Sequence, residues 1–150
     1  MVQAAVGCPL TKGERVLVAL DGSEHSDKAL DQALSMARTC NSKLFAISVV
    51  DLYPEQMEVA PALEEKMSAE VAEILERAKQ KADQENVACE TIVHMGRPAY
   101  EFIVQEAKDK NIDLIVMGTH GRTGLKKVIM GSVAERVIGS APCAVLVTPL

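Results

Sequence analysis

The sequence predicts an α/β domain, an open, doubly wound parallel sheet with helices on both faces. Three observations lead there. Five short apolar runs recur along the 150 residues: "RVLVAL" (15–20), "KLFAISVV" (43–50), "CETIVHM" (89–95), "DLIVMG" (113–118) and "CAVLVT" (143–148). Helical periodicity fills every interval between them, so the order reads β-α-β-α-β-α-β-α-β. The chain is also 48% hydrophobic with two Tyr, two Phe and no Trp, which leaves Val, Ile, Leu, Ala and Met to build the core. That palette suits small-residue helices packed on a Val/Ile-rich sheet.

Taken in order, the first, second, fourth and fifth runs are near-continuous in apolar residues, as expected of strands covered on both faces. The third, "CETIVHM", is more polar and belongs at an edge. After the first strand, Ala29, Leu30, Ala33, Leu34 and Ala37 recur at helical spacing, with Ser23 or Glu24 near the helix start. Residues 51–60, "DLYPEQMEVA", show no clear period and read as a surface crossing or a lid. A long helix is expected from about 61 to 85, striped by Leu63, Met67, Val71, Ile74, Leu75, Ala78 and Ala82. Its Glu64, Glu65, Glu70 and Glu73 precede Arg77, Lys79 and Lys81, an ordering that complements the helix dipole. The next helix starts near Pro98, suited to a first turn, and buries Phe102, Ile103 and Ala107. The last runs from Ser132 to about Ile138 and stops at Gly139 and Pro142.

Length and charge bound the function. A chain of this size hides roughly 68–70% of the surface its unfolded form exposes, so one domain stands without disulfide staples. The net charge of −5 argues against nucleic acid or an anionic membrane surface as the main partner. Cys8, Cys40, Cys89 and Cys143 form no C-x-x-C pair and read as four free thiols of a reducing cytoplasm. No run approaches the ~20 apolar residues of a membrane span, and the opening segment lacks a basic region ahead of its apolar stretch. The expected location is the cytoplasm.

In a doubly wound sheet the ligand lies beyond the carboxyl ends of the strands, where strand order reverses. Asp21 follows the first strand in "LDGSEHS". It can accept from ribose hydroxyls or hold a metal through water, or it is simply the turn residue of Asp-Gly-Ser ahead of a helix. The second strand ends in Val49, Val50 and Asp51. The fourth opens into "MGTHGRTGLKKVIMGS", which holds four of the nine glycines: Gly118, Gly121, Gly124 and Gly131. Glycine leaves no Cβ to block an approaching anion, and Ser132 stands where a helix begins, so unpaired N–H groups and the positive dipole end point outward. Arg122, Lys126 and Lys127 add positive charge. A mobile glycine-rich turn with a solvated basic flank is the other reading. The spacing G-x-x-G-x-x-G is neither a Walker loop, which needs G-K-[ST], nor the dinucleotide G-x-G-x-x-G. His120 can donate to a phosphate or bond to backbone, the second being the commoner arrangement, while His25 and His94 look like surface or packed residues.

These residues resemble the universal stress protein family in its nucleotide-binding branch. The family signature G-x2-G-x9-G-[ST] is matched by Gly118, Gly121, Gly131 and Ser132. "GTHGRTGLKKVIMGSVAERVIGSAPCAVLV" and "VLVALDGSEHSDKAL" resemble the family's last third and first strand-helix unit. The likeness covers about residues 14 to 148 and divides the chain into an N-terminal extension, 1–13, and one domain, 14–150. It implies a five-stranded parallel sheet of order 3-2-1-4-5, Rossmann-like, that binds ATP or AMP. By position, Ala19, Leu20 and Asp21 would line the adenine and ribose pocket, with Asp21 on the ribose or on a phosphate-linked Mg²⁺. Val49 would meet the adenine edge through its backbone. Met117 and Gly118 would approach the ribose, and Gly121, Arg122, Gly131, Ser132 and Val133 would surround the phosphates. The nine residues after Gly121 would form a flap. Family members dimerise through the last strand, here 143–148, and an apolar edge strand independently favours pairing. Ala144 stands where the family often has Pro.

The function expected is a regulatory, stress-response nucleotide-binding protein with no catalytic residue assigned. A slow ATP hydrolase or phosphoryl-transfer enzyme is the alternative, with Asp21 and His120 as its only candidates near the phosphates. A dimeric interaction module without nucleotide is the third reading, against which the glycine signature counts.

Overall fold

Alternation inside each apolar run decides which side chains go to which face of the sheet. The computed structural model describes residues 7–121 and 130–149. Its elements are β1 (Arg15–Ala19), α1 (Glu24–Cys40), β2 (Lys43–Val50), α2 (Pro54–Val59), α3 (Pro61–Gln84), β3 (Cys89–Met95), α4 (Ala99–Asp109), β4 (Leu114–Gly118), α5 (Ser132–Ser140) and β5 (Ala144–Thr148). The five strands are parallel in the order β3-β2-β1-β4-β5, as expected, with "CETIVHM" at one edge and β5 at the other.

Val16 and Val18 of β1, Leu44 and Ala46 of β2, and Leu114 and Val116 of β4 face α1 and α3. Leu17, Phe45, Ile47, Ile115 and Met117, the residues between them, face α4 and α5. Register puts Leu17 beside Phe45 on one side and Ile115 on the other, so the second core is continuous across three strands. Each such buried side chain is worth about 1.5–3 kcal/mol of transfer free energy. β5 is covered less well, its Val145, Leu146 and Val147 being only half-buried.

α1 is specified at both ends. Ser23 caps it by accepting from the Ser26 N–H, Glu24 and Asp27 sit at the positive end, and Asn41 closes it in the left-handed region at φ 54°. Elsewhere the structure departs from the expected boundaries. The supposedly aperiodic crossing contains the six-residue α2, which has no buried residue and therefore no apolar stripe to betray it. Pro98 precedes α4 as its N-cap and is not inside the first turn. Gly139 lies within α5, where a Cβ would meet nothing within 4 Å, so glycine alone did not stop the helix.

The cysteine reading needs correction. Cys8 and Cys40 form a disulfide across 32 positions, with Cα atoms 4.9 Å apart. The described part of the N-terminal extension folds back onto the end of α1. Leu10 packs on the α1–α3 core, and the Ser42 hydroxyl donates to the Gly13 carbonyl. A Cβ on Gly13 would lie 3.0 Å from Cys8 Sγ and 3.2 Å from Cys40 Sγ, so the arm passes against the sulfurs themselves. Spacing could not reveal this pairing, because it depends on the return path of the arm. Cys89 and Cys143 remain thiols, and burial pushes both above the usual thiol range, which keeps them unreactive.

α4 is fastened to β3 by a polar cluster. His94 Nε2 donates to Glu106 Oε1 at 2.7 Å, Lys110 Nζ lies 2.9 Å from Glu106 Oε2, and Phe102 stacks on the His94 ring at 4.8 Å. Burial alone would raise the Glu106 carboxyl. Hydrogen bonds and positive charge from Lys110 and His94 outweigh it and hold the group below its ordinary value.

Two outcomes are expected. Closing a loop of this length contributes about 3–4 kcal/mol in the chain-entropy picture. Cys40→Ser should therefore lower the melting temperature, and dithiothreitol should bring the wild type down to the variant. The Glu106 contribution is complete above the unfolded carboxyl's value of about 4.3 and is lost as pH falls through the lower folded one. Glu106→Gln should melt earlier than wild type at pH 7, and the gap should close below about pH 4.

Candidate functional site

Strand order reverses beside β1, which lies between β2 and β4, so the carboxyl ends of β1 and β4 frame a crevice. The β1 side is a tight turn. Asp21 Oδ1 accepts from the Ser23 N–H at 2.9 Å and Gly22 takes a positive φ of 84°, the geometry of an Asp-Gly turn ahead of a helix. The turn reading of Asp21 is thus realised, and its second oxygen faces the opposite wall. A Cβ on Gly121 would come 3.0 Å from Asp21 Oδ2 and meet nothing else within 4 Å among the described residues. One carboxylate accordingly spans from the start of α1 to the end of the β4 segment.

The β4 side is built by close backbone approach. A Cβ on Gly118 would fall 2.5 Å from His25 Cβ and 3.0 Å from the His25 carbonyl carbon, so only glycine lets the first turn of α1 lie against the end of β4. The Gly131 N–H donates to the Thr119 carbonyl at 2.6 Å, and a Gly131 Cβ would lie 3.1 Å from that oxygen and 3.3 Å from His120 Cα. The second and third signature glycines are therefore drawn together at the crevice although nine residues separate them. At Gly131 the neighbour that forbids a side chain is the loop's own backbone.

His25 belongs to the same place. Its Nδ1 is 3.2 Å from Thr119 Oγ1, which is 3.0 Å from His120 Nδ1, and the two imidazoles are 5.3 Å apart. The hydroxyl carries one proton, so Thr119 donates to at most one histidine and accepts the N–H of the other. Sequence reading placed His25 among surface or packed residues. Only its spacing from Asp21 hinted otherwise.

The expected site residues sort by what they present. Leu20 and Met117 are each 5% exposed, with side chains in the two cores, so only their backbone is available. Ala19 and Val49 are partly buried on the α4–α5 face. Asp21, Gly118, Gly121 and Gly131 meet at the crevice, and Ser132 and Val133 open α5 beside it. Arg122, Gly124, Lys126, Lys127 and most of the flap lie outside the described residues. Among the described residues no group of three His, Cys, Asp or Glu could hold a metal ion.

Next to the crevice lies a cleft of about 430 Å³ that sequence reading did not anticipate. Ser132, Val133 and Arg136 of α5 form one wall. Asp51 and Tyr53 beyond β2, with Arg97 and Tyr100 at the start of α4, form the other. Arg97 Nε bonds Asp51 Oδ1 at 2.8 Å while its guanidinium lies 4.7 Å over the Tyr53 ring. Nothing in the sequence spacing linked these residues, since they follow three different strands. The rule that strand ends converge was the only signal.

Comparison with known proteins agrees with this architecture. The model of the "Universal stress protein family" matches residues 13–149. A universal stress protein of Methanocaldococcus jannaschii is 39% identical over 138 residues, covering 89% of this chain and 81% of its own. The structure of the universal stress protein UspA from Lactobacillus plantarum superposes with a TM-score of 0.78 at 29% identity, covering 91% of this chain and 98% of that one. A family protein from Arabidopsis thaliana, solved with AMP bound, has the same fold at a TM-score of 0.67 and 22% identity, covering 91% of each chain. With a family match over nearly its whole length and the family's glycine signature closing at the switch point of a 3-2-1-4-5 sheet, this chain belongs to the universal stress protein family.

Proposed function

We propose that this chain binds an adenine nucleotide, ATP or AMP, in the crevice between β1 and β4, and that it acts as a regulatory stress-response protein and not as a catalyst. The observation that carries the proposal is the closure of the signature: Gly121 lies against Asp21 while Gly131 is bonded to Thr119. That closure aligns the uncapped start of α5 with the glycine backbone, the arrangement that receives phosphate. Asp21 is assigned to the ribose or to Mg²⁺ carried in with the phosphates, and Ala19 and Leu20 to the pocket through their backbone. Val49 takes the adenine edge, and Met117 and Gly118 the ribose. Gly121, Gly131, Ser132 and Val133 surround the phosphates, joined by Arg122 from the flap. The Arabidopsis relative with AMP supports this class of ligand.

The Thr119-bridged histidine pair favours slow hydrolysis as the second reading, because it puts proton-transfer groups beside the crevice. Half-buried β5 supports a homodimer formed through that edge. No described helix is long and apolar enough to cross a membrane.

Gly121 is the informative position to alter. Gly118→Ala would collide with the His25 backbone and Gly131→Ala with that of Thr119, so both disturb the fold before any ligand arrives. Gly121→Val meets a side-chain oxygen, Asp21 Oδ2, and no described backbone atom. The wild type, purified gently, is expected to release ATP or AMP in mass spectrometry, and the variant none. By calorimetry the variant should lose roughly tenfold or more in AMP affinity, the worth of one charge-assisted hydrogen bond. A variant with unchanged circular dichroism that binds AMP as tightly as wild type defeats the pocket assignment. Steady ADP formation from ATP would replace the regulatory reading with the catalytic one. Light scattering should give twice the chain mass at micromolar concentration; a monomer mass removes the β5 interface.

A further inference from the structure

Two arginines of the cleft lie outside the residues assigned above to the nucleotide, and each rests on a tyrosine. Arg97 Cζ is 4.7 Å from the Tyr53 ring centre, and Arg136 Cζ is 5.2 Å from that of Tyr100. All four residues line the one cleft of about 430 Å³. A guanidinium laid on an aromatic face has its plane fixed and its N–H edge directed outward, a preformed fork for an oxyanion.

Charge in the cleft is unbalanced. Asp51 is the only carboxylate among its lining residues, and it is bonded to Arg97 alone. Arg136 has no carboxylate within ion-pair distance among the described residues, and its one contact of this kind is Tyr100. It is the fifth of the nine residues of α5, past the first turn, so the helix dipole gives no reason for a cation there. The Asp51–Arg97 pair has side chains 46% and 43% exposed, so solvent screens it and it opens readily. A chain of net charge −5 keeps a positive cleft here.

We propose that this cleft is a second anion subsite, taking a phosphate group separate from the one held by the glycine loop. The ligand class is then a nucleoside bisphosphate, with phosphates at two places on the nucleoside. Ser132 and Val133 border both the cleft and the loop, so one molecule can reach both. Asp51 occupies Arg97 until the second phosphate arrives, and the guanidinium exchanges one oxyanion for another. This inference rests on the nucleotide reading above.

Calorimetry with AMP, adenosine 3′,5′-bisphosphate and ATP tests it, on the wild type and on Arg136→Gln and Arg97→Gln. The bisphosphate should bind about tenfold more tightly than AMP, the increment of one charge-assisted contact. Arg136→Gln should bring the bisphosphate down to the AMP level while AMP affinity stays within about twofold. Arg97→Gln should shrink the same increment. Equal affinities of wild type for AMP and bisphosphate overturn the subsite and leave the nucleotide reading standing. An Arg136-dependent gain for ATP alone puts the extra anion on the 5′ chain and also overturns it. Failure of every nucleotide to bind wild type overturns both readings.

Discussion

Parallel strands cannot be joined by tight turns, so each passage from one strand to the next must travel back over the sheet, here as a helix. Every other property of this molecule depends on that requirement. It brings all five strands out at the same pole, so Asp21, Asp51, Arg97 and the segment after β4 come together although they are scattered through the sequence. It covers both faces, which is why alternate residues of β1, β2 and β4 sort into two cores while the strands themselves look uniformly apolar. It also leaves the opposite pole for anchoring. There Asp113 accepts from the N–H groups of Glu14 and Arg15 at 3.0 Å each, and the Cys8–Cys40 link holds the arm.

The glycines of the candidate site have a role in the chain's own packing. At two of the three signature positions the atom that excludes a side chain belongs to the protein: the His25 backbone for Gly118 and the Thr119 carbonyl for Gly131. Packing of that kind sets backbone against backbone where side chains would otherwise intervene. A sequence motif read as an anion cradle is thus also a packing motif, and both descriptions refer to the same contacts.

How far the sequence could be read follows from the range of the interactions. Strand and helix positions were legible because periodicity is local, and Ser23 as a cap was legible for the same reason. α2 was not, since a helix with no buried residue leaves no stripe. The disulfide was not, because it joins an arm to the end of a helix 32 positions away. Of the candidate site, the glycine signature was singled out by its spacing and Asp21 by its place after the first strand. His25, Thr119 and the arginine–tyrosine pairs were missed, because each is brought to the pole by the sheet and not by its neighbours in sequence.

α2 carries one more consequence. It is bracketed by buried Leu52 on one side and by the start of α3 on the other, yet contributes no fully buried residue, only a partly buried Met57 at the margin of the α1–α3 core. Extra residues between Tyr53 and Pro61 would displace solvent and leave the sheet intact. This bracket is therefore the stretch in which descendants of the same fold can change length, and with it the outline of the cleft's rim, while the rest of the architecture is inherited unaltered.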